Sequence, residues 1–306
     1  MNNKCRKSVA VLMATHNGMS WIEEQINSIL NQIKVDVTIF ISDDNSVDGT
    51  VDYLCKLAKK DRRVVLLPKV KPFGSAAKNF YHLIDEVNFK GFSYIALSDQ
   101  DDIWNKDKLY THITILEKNN AEAISSNVIA FWPNGKEVLI KKSQPQRKYD
   151  FLFEGPGPGC TFLITPWLAS KVKSQLKNIK IASHVELHDW LIYAICCAYK
   201  KLWIIDSRPS LKYRQHSTNV LGANFGLRAL FTRLKRIFNG WYRNQVSLIY
   251  DVFCTIAPSK KITDFRQSIR RKSIHGQIKL IFFAFQGRRK LIDRLALVLS
   301  ILLFIF

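Results

Sequence analysis

Through the first 130 or so residues, short apolar runs alternate with stretches of helical periodicity. "VAVLMAT" (Val9 to Thr15) has the unbroken apolarity of a strand buried on both faces. "SWIEEQINSILNQ" follows, with Ile22, Ile26, Ile29 and Leu30 on one helical face and Ser20 and Glu23 at capping-box spacing. The unit then repeats. "VTIFIS" (Val37 to Ser42) precedes a helix near 50–60, "VVLL" (Val64 to Leu67) one near 75–87, and "SYIALS" (Ser93 to Ser98) one near 105–118. Strands alternating with helices predict an α/β fold whose mainly parallel sheet is covered by helices on both faces.

Beyond residue 130 the pattern predicts a flexible loop entering a strand at "GPGPGCTFLIT" (Gly155 to Thr165) and a largely buried helix at "ELHDWLIYAICCAY" (Glu186 to Tyr199). Another strand is expected at "LWIID". From Phe225 the chain reads as helical and basic, ending in the uncharged run Leu295 to Phe306. The division expected is a nucleotide-binding catalytic domain over 1–222 and a basic helical region over 223–306.

Ligands of parallel sheets bind beyond the carboxyl ends of the strands. The polar residues gather there: "THNG" after the first strand, "DDNS" after the second, "DQDD" after the fourth. Adjacent carboxylates repel one another unless a cation or a hydroxyl-bearing ligand occupies the cluster. Asp99 and Asp101, two apart on a chain leaving a strand, can point to one side and hold a hard divalent ion, Mn²⁺ or Mg²⁺. Asp102 then projects elsewhere, toward the start of the following helix. Asp44 can accept a hydrogen bond from a base N–H, although Asp, Asn and Ser at that position also suit a plain helix cap. Lys78 sits near a helix start suited to phosphate, or is an ordinary surface lysine. In "ELHDW" burial would raise the Asp189 pKa toward that of a useful base, with His188 the rival. "YRQHSTNVLG" offers Arg214 and Asn219 to phosphate and His216 to phosphate or a metal.

The formal charge is +21, and it is unevenly placed: 221–306 carries 16 Lys and Arg against 3 Asp and Glu, a net of +13. Such a region seeks phosphate on nucleic acid or on an anionic membrane. The uncharged C-terminal run has 12 residues, short of the roughly 20 needed to span a bilayer. Behind Arg288, Arg289, Lys290 and Arg294 it suits a helix lying in the membrane interface, or one packed on protein. The six cysteines have no CxxC spacing and no signal-peptide core follows the N-terminus, so reduced thiols in a cytoplasmic protein are expected. Neither GxGxxG, GxxxxGK[ST] nor GxSxG occurs, which argues against dehydrogenase, P-loop and serine-hydrolase chemistry.

The ordered set "VLMATHNG", "ISDDNSVDGT", "ALSDQDDIW", "LHDW" and "YRQHSTNVLG" resembles the family 2 glycosyltransferases of GT-A fold, in particular their bacterial rhamnosyltransferase-like branch, over Val9 to Gly222. His16 stands where that family commonly has an aromatic residue. The resemblance implies inverting transfer of a sugar from a nucleotide diphosphate sugar, of uridine or thymidine, to a hydroxyl. It sets Thr15 and Asn17 against the nucleotide, Asp44 on the base, Asp99 near the ribose and Asp101 on the metal. Asp189 falls at the position of the catalytic base. With the basic tail on anionic lipid, the acceptor expected is a lipid-linked saccharide at the inner face of the cell membrane, in O-antigen or capsule assembly. A metal-dependent nucleotidyltransferase is the alternative. A nucleic-acid-binding protein is another, but one whose acidic strand-end loops would repel its ligand.

Overall fold

The structure, a computed structural model, describes residues 6–216, 239–258, 265–266, 268–269, 274–303 and 305–306. Strands β1 (Lys7–Thr15), β2 (Val35–Asp43), β3 (Val64–Leu66) and β4 (Tyr94–Ser98) alternate with helices α1 (Ile22–Leu30), α2 (Thr50–Lys60) and α3 (Ala76–Glu86). After β4 come β5 (Ile103–Trp104), α4 (Lys108–Asn119), β6 (Ala123–Ser126), β7 (Val128–Phe131), β8 (Glu137–Ile140) and β9 (Leu163–Ile164). Then follow α5 (Pro166–Asn178), α6 (His188–Ala198), β10 (Trp203–Asp206) and β11 (Leu211–Arg214). Helices α7 (Trp241–Ile256), α8 (Ile274–Phe285) and α9 (Leu291–Leu302) complete the described elements.

A seven-stranded sheet runs β10-β6-β9-β4-β1-β2-β3, parallel except for the short antiparallel β9 between β4 and β6. A second sheet, β5-β11-β7-β8, stands beside it. Period-2 geometry divides the apolar strands between two cores. Ala10, Leu12, Ile95 and Leu97 join α3, α5 and α6 on one face, while Val9, Val11, Met13 and Ala96 join α1, α2 and α4 on the other. Such two-sided burial accounts for the absence of alternation in "VAVLMAT".

The register sets the site edge. Thr15 pairs with Asp43 and Met13 with Ser98, so β1, β2 and β4 end side by side. Helix α6 is buried all round from Trp190 to Cys196, which its uniform apolarity requires. Helix α7 packs Val246, Ile249, Tyr250 and Phe253 into the same core as α3 and α6, and Phe306 also lies there.

Two local expectations give way. Helix α1 begins at Ile22 behind Trp21, with no side-chain cap, so the Ser20–Glu23 capping box does not form. Nor does Asp102 reach toward the next helix: it is fully buried, and α4 starts from Asp107. The five described cysteines are free, and no described helix is long and apolar enough to cross a membrane.

Candidate active site at the strand ends

The loops after β1, β2 and β4 are sewn together by short polar contacts. Asp43 accepts from the Thr15 hydroxyl at 2.8 Å and from the Ser46 hydroxyl at 2.6 Å. Ser46 in turn accepts the Asn17 amide, and the Asn17 side chain accepts the Val47 amide. Asn17 is left-handed, a conformation that asparagine tolerates better than most residues. Gly49 (φ 92°) precedes α2, where a β-carbon would be strained.

Gln100, which no sequence motif marks, bridges loop one to loop three. Its amide oxygen accepts the His16 N–H at 2.8 Å and its amide nitrogen donates to the His16 carbonyl at 2.9 Å. Gly18 lies so close to the Gln100 side chain that a β-carbon there would collide with it. The His16 ring contacts the Asp44 carbonyl at 2.7 Å, closing the connection to loop two.

Asp44 is turned inward. Its two carboxylate oxygens accept the Phe73 and Gly74 amides at 2.6 and 2.9 Å, tethering the segment before α3. Each oxygen keeps a second lone pair. Ser75 caps α3 by accepting the Lys78 amide, and the Lys78 side chain is exposed beyond it.

The "DQDD" stretch divides its acids differently from a simple alternation, because the chain leaves the extended conformation after Ser98. Asp99 and Asp102 face the buried Cys160, and one ligand atom of each residue lies within 4.8 Å of the others. Burial pushes both carboxyls up, and the Asp101 charge pushes them further. Burial also raises the Cys160 thiol, which is therefore a hydrogen-bond donor to the carboxylates rather than a thiolate ligand. Lys108, buried beneath them, donates to the Cys160 carbonyl at 2.6 Å and stands 3.1 Å from the centre of the Trp104 ring. Burial brings its pKa down to about 7.

Asp101 turns to the other side. Its Oδ2 lies 2.6 Å from His216 Nε2, and the His216 ring stacks on Trp21 with centroids 4.0 Å apart. Arg214 fixes this geometry: its Nε donates to the Asp101 carbonyl at 2.8 Å, its amide to Asp102, and its guanidinium pairs with Glu24. Arg214, a phosphate candidate by residue type, here binds strand β11 to the acidic loop. Asn219 lies outside the described residues. A carboxylate oxygen beside an imidazole nitrogen is a donor set that suits Mn²⁺ better than Mg²⁺, which takes oxygen ligands.

Asp189 opens α6. Its Oδ1 accepts the Trp190 amide at 2.8 Å, and Gly155 lies against its Oδ2. Burial raises its pKa to about 6, opposed by that amide and by Lys142. Its charge, like that of Asp101, pushes the buried Asp99 carboxyl up. The rival base His188 stacks on Phe80 at 4.0 Å with Nε2 buried and unpartnered. Burial depresses it to about 3, too weak a base for the task.

The wall behind Asp189 is anchored from the C-terminal region. Arg289 is buried with Asp150 at 3.4 Å, its amide donates to Glu154 at 2.6 Å, and its guanidinium donates to the Gly155 carbonyl.

The family model described as glycosyl transferase family 2 matches residues 10–165. The chain is 40% identical over 96% of its length to the dTDP-rhamnosyl transferase RfbG of Shigella flexneri, all of which is covered. It is 28% identical to the UDP-Glc:alpha-D-GlcNAc-diphosphoundecaprenol beta-1,3-glucosyltransferase WfgD of Escherichia coli, over 51% of this chain and 59% of that one. Among solved structures it is similar to the mannosyltransferase PcManGT of Pyrobaculum calidifontis in complex with GDP-Man and Mn²⁺. That match has TM-score 0.53 and 14% identity, and covers 99% of this chain and 86% of the other. It is also similar to S. aureus TarS 1-349 in complex with UDP-GlcNAc, with TM-score 0.52 and 13% identity over 90% and 79%.

Proposed function

The chain belongs to glycosyl transferase family 2, and from that premise we propose that it moves rhamnose from dTDP-rhamnose to a hydroxyl of a lipid-linked saccharide. The donor follows the full-length similarity to a dTDP-rhamnosyl transferase, and the lipid-linked acceptor follows the similarity to a relative named for a diphosphoundecaprenol substrate. The observation that carries the reading is the gathering of acids where β1, β2 and β4 end side by side: Asp101 meets His216 there, and the charges of Asp101 and of Asp189, which comes from a distant helix, both push the buried Asp99 carboxyl up.

Asp189 is the base. Ionised, it takes the proton of the acceptor hydroxyl as that oxygen attacks the anomeric carbon from the face opposite the diphosphate. The new C–O bond forms as the bond to the diphosphate oxygen breaks, its electron pair leaves with the nucleotide, and the anomeric configuration inverts. Thr15, Asn17 and Asp44 hold the nucleoside, Asp99 the ribose, and Lys78, extending from the first turn of α3, meets phosphate. Asp101 and His216 would hold a divalent ion, which supplies charge compensation to the departing diphosphate. Gln100 keeps the first and third loops in register around the donor. The enzyme acts as a peripheral protein on the inner face of the membrane, in surface-polysaccharide assembly.

The test is a panel of dTDP-, UDP- and GDP-sugars with a membrane extract or lipid-linked acceptor, with and without Mn²⁺. Rhamnose incorporation from dTDP-rhamnose alone is expected. Consumption of a nucleoside triphosphate with release of pyrophosphate, and none of any nucleotide sugar, would remove the reading.

A further inference from the structure

Nine of the sixteen large apolar side chains that stand exposed among the described residues lie on the two C-terminal helices, and a tenth, Leu303, directly follows the second. On α8 they are Ile274, Ile278, Phe282 and Phe285, spaced four, four and three residues apart, which is one helical stripe. On α9, Leu291, Leu295, Leu299 and Leu302 repeat that spacing, with Ile292 and Leu303 beside them. Each of the ten is at least 45% exposed. The opposite stripes, through Leu280, Phe283 and Ala284 on α8 and Leu297 and Ile301 on α9, enter the core shared with α3 and α6. The two helices pack on each other and on that core, and their outer stripes are left uncovered by it.

A surface helix of a globular protein is apolar on one face and polar on the other, whereas these two are apolar on both. Scattered exposed leucines need no explanation, but an exposed apolar stripe on each of two helices packed together marks an interaction surface. Each helix has 12 residues, about 18 Å long, against a hydrocarbon core of about 30 Å, so neither crosses a bilayer.

We propose that the α8–α9 hairpin lies flat in the surface of an anionic phospholipid bilayer and buries this outer face among the acyl chains. Charge selects lipid as the occupant. The two helices and their turn, residues 274–303, carry five Lys and Arg against one Asp, a net of +4, and Lys290 in the turn is exposed. An apolar face on a hairpin of net positive charge fits an interface of acyl chains beneath phosphate headgroups. The choice of lipid over protein also rests on the lipid-linked acceptor proposed above. Arg289 then gives the contact a route to the chemistry: the turn that would lie at the membrane is bonded to Asp150, Glu154 and Gly155, and Gly155 borders Asp189.

Flotation of the full chain with phosphatidylglycerol-containing vesicles, against vesicles of phosphatidylcholine alone, tests the proposal. The unmodified chain is expected to float with the anionic vesicles. The variant I278E/F282E/L295E/L299E, altered only at outward positions, is expected to lose at least tenfold of that partitioning while keeping its melting temperature and its Mn²⁺-dependent shift with dTDP. Hydrogen exchange of the unmodified chain provides a reading independent of the variant's folding, with vesicles slowing exchange over 274–303. Absence of flotation, equal flotation of the variant, or unchanged exchange over 274–303 would overturn the proposal. So would a dimer in sedimentation that the four substitutions dissociate while vesicles are ignored, since the face would then belong to a second copy. Flotation without any dTDP shift supports the membrane face and removes the donor reading instead.

Discussion

His216 Nε2 and Asp101 Oδ2 meet at 2.6 Å across 115 positions of sequence. The contact exists because β11 runs antiparallel to β5, directly after the acidic loop, and Arg214 at its end is bonded to the Asp101 carbonyl. The stacked Trp21 ring holds the imidazole from the other side. An oxygen and a nitrogen donor are thereby oriented before any ion arrives.

If that pair holds the divalent ion, H216A should weaken Mn²⁺ binding in the presence of dTDP by about 10–100-fold, the range for groups that hold or orient a metal. D101A should abolish it. Calorimetric titration reads both, and an unchanged affinity in H216A would assign the ion to other residues.

Replacing Asp189 by Asn removes the base and keeps the shape. Turnover should fall by about 10²–10⁴, while dTDP affinity stays within twofold. Because burial places this carboxyl near 6, kcat of the unmodified enzyme should rise with pH through about 6 and level off above it. A profile flat from pH 5 to 7 would exclude Asp189 as the base.

The same shift has a stability consequence of definite sign. The folded pKa of Asp189 lies above the unfolded value, so the folded chain holds the proton more tightly between about pH 4 and 6. The destabilisation is complete above pH 6, roughly 2–3 kcal/mol, and vanishes below pH 4. D189N should therefore melt higher than the unmodified chain at pH 7 and at the same temperature at pH 4, a comparison that scanning calorimetry makes directly.

Arg289 is buried against Asp150, and removing one partner of a buried pair leaves the other charge uncompensated. R289A should cost about 3–5 kcal/mol in urea unfolding. R289K, which keeps the charge but not the fork that reaches Gly155, should cost less and still lower kcat.

Gln100 makes a two-way bond to the His16 backbone. Q100A should leave the melting temperature within a few degrees, since the contact is exposed, and raise the KM for the donor severalfold by loosening the two loops. An unchanged KM would reduce the bridge to a surface detail.

The sequence by itself determined the repeating strand–helix units, because uniform apolar runs such as Val9 to Ala14 have no stable place except a strand covered on both faces. It also determined that acids gather at strand ends, since parallel pairing puts Thr15, Asp43 and Ser98 at one edge whatever follows. Local pattern cannot say which way a side chain turns once the chain leaves the strand. Asp99 and Asp102 share Cys160 while Asp101 goes to His216, a division imposed by β11 and by the loop before β9. Gln100 has no motif to mark it, because its role is a contact with a backbone 84 residues away. The second face of α8 and α9 is likewise a tertiary result: the sequence pattern marks only Leu295 to Phe306 as an uncharged run, and packing decides which stripe of each helix the core covers and which it leaves exposed.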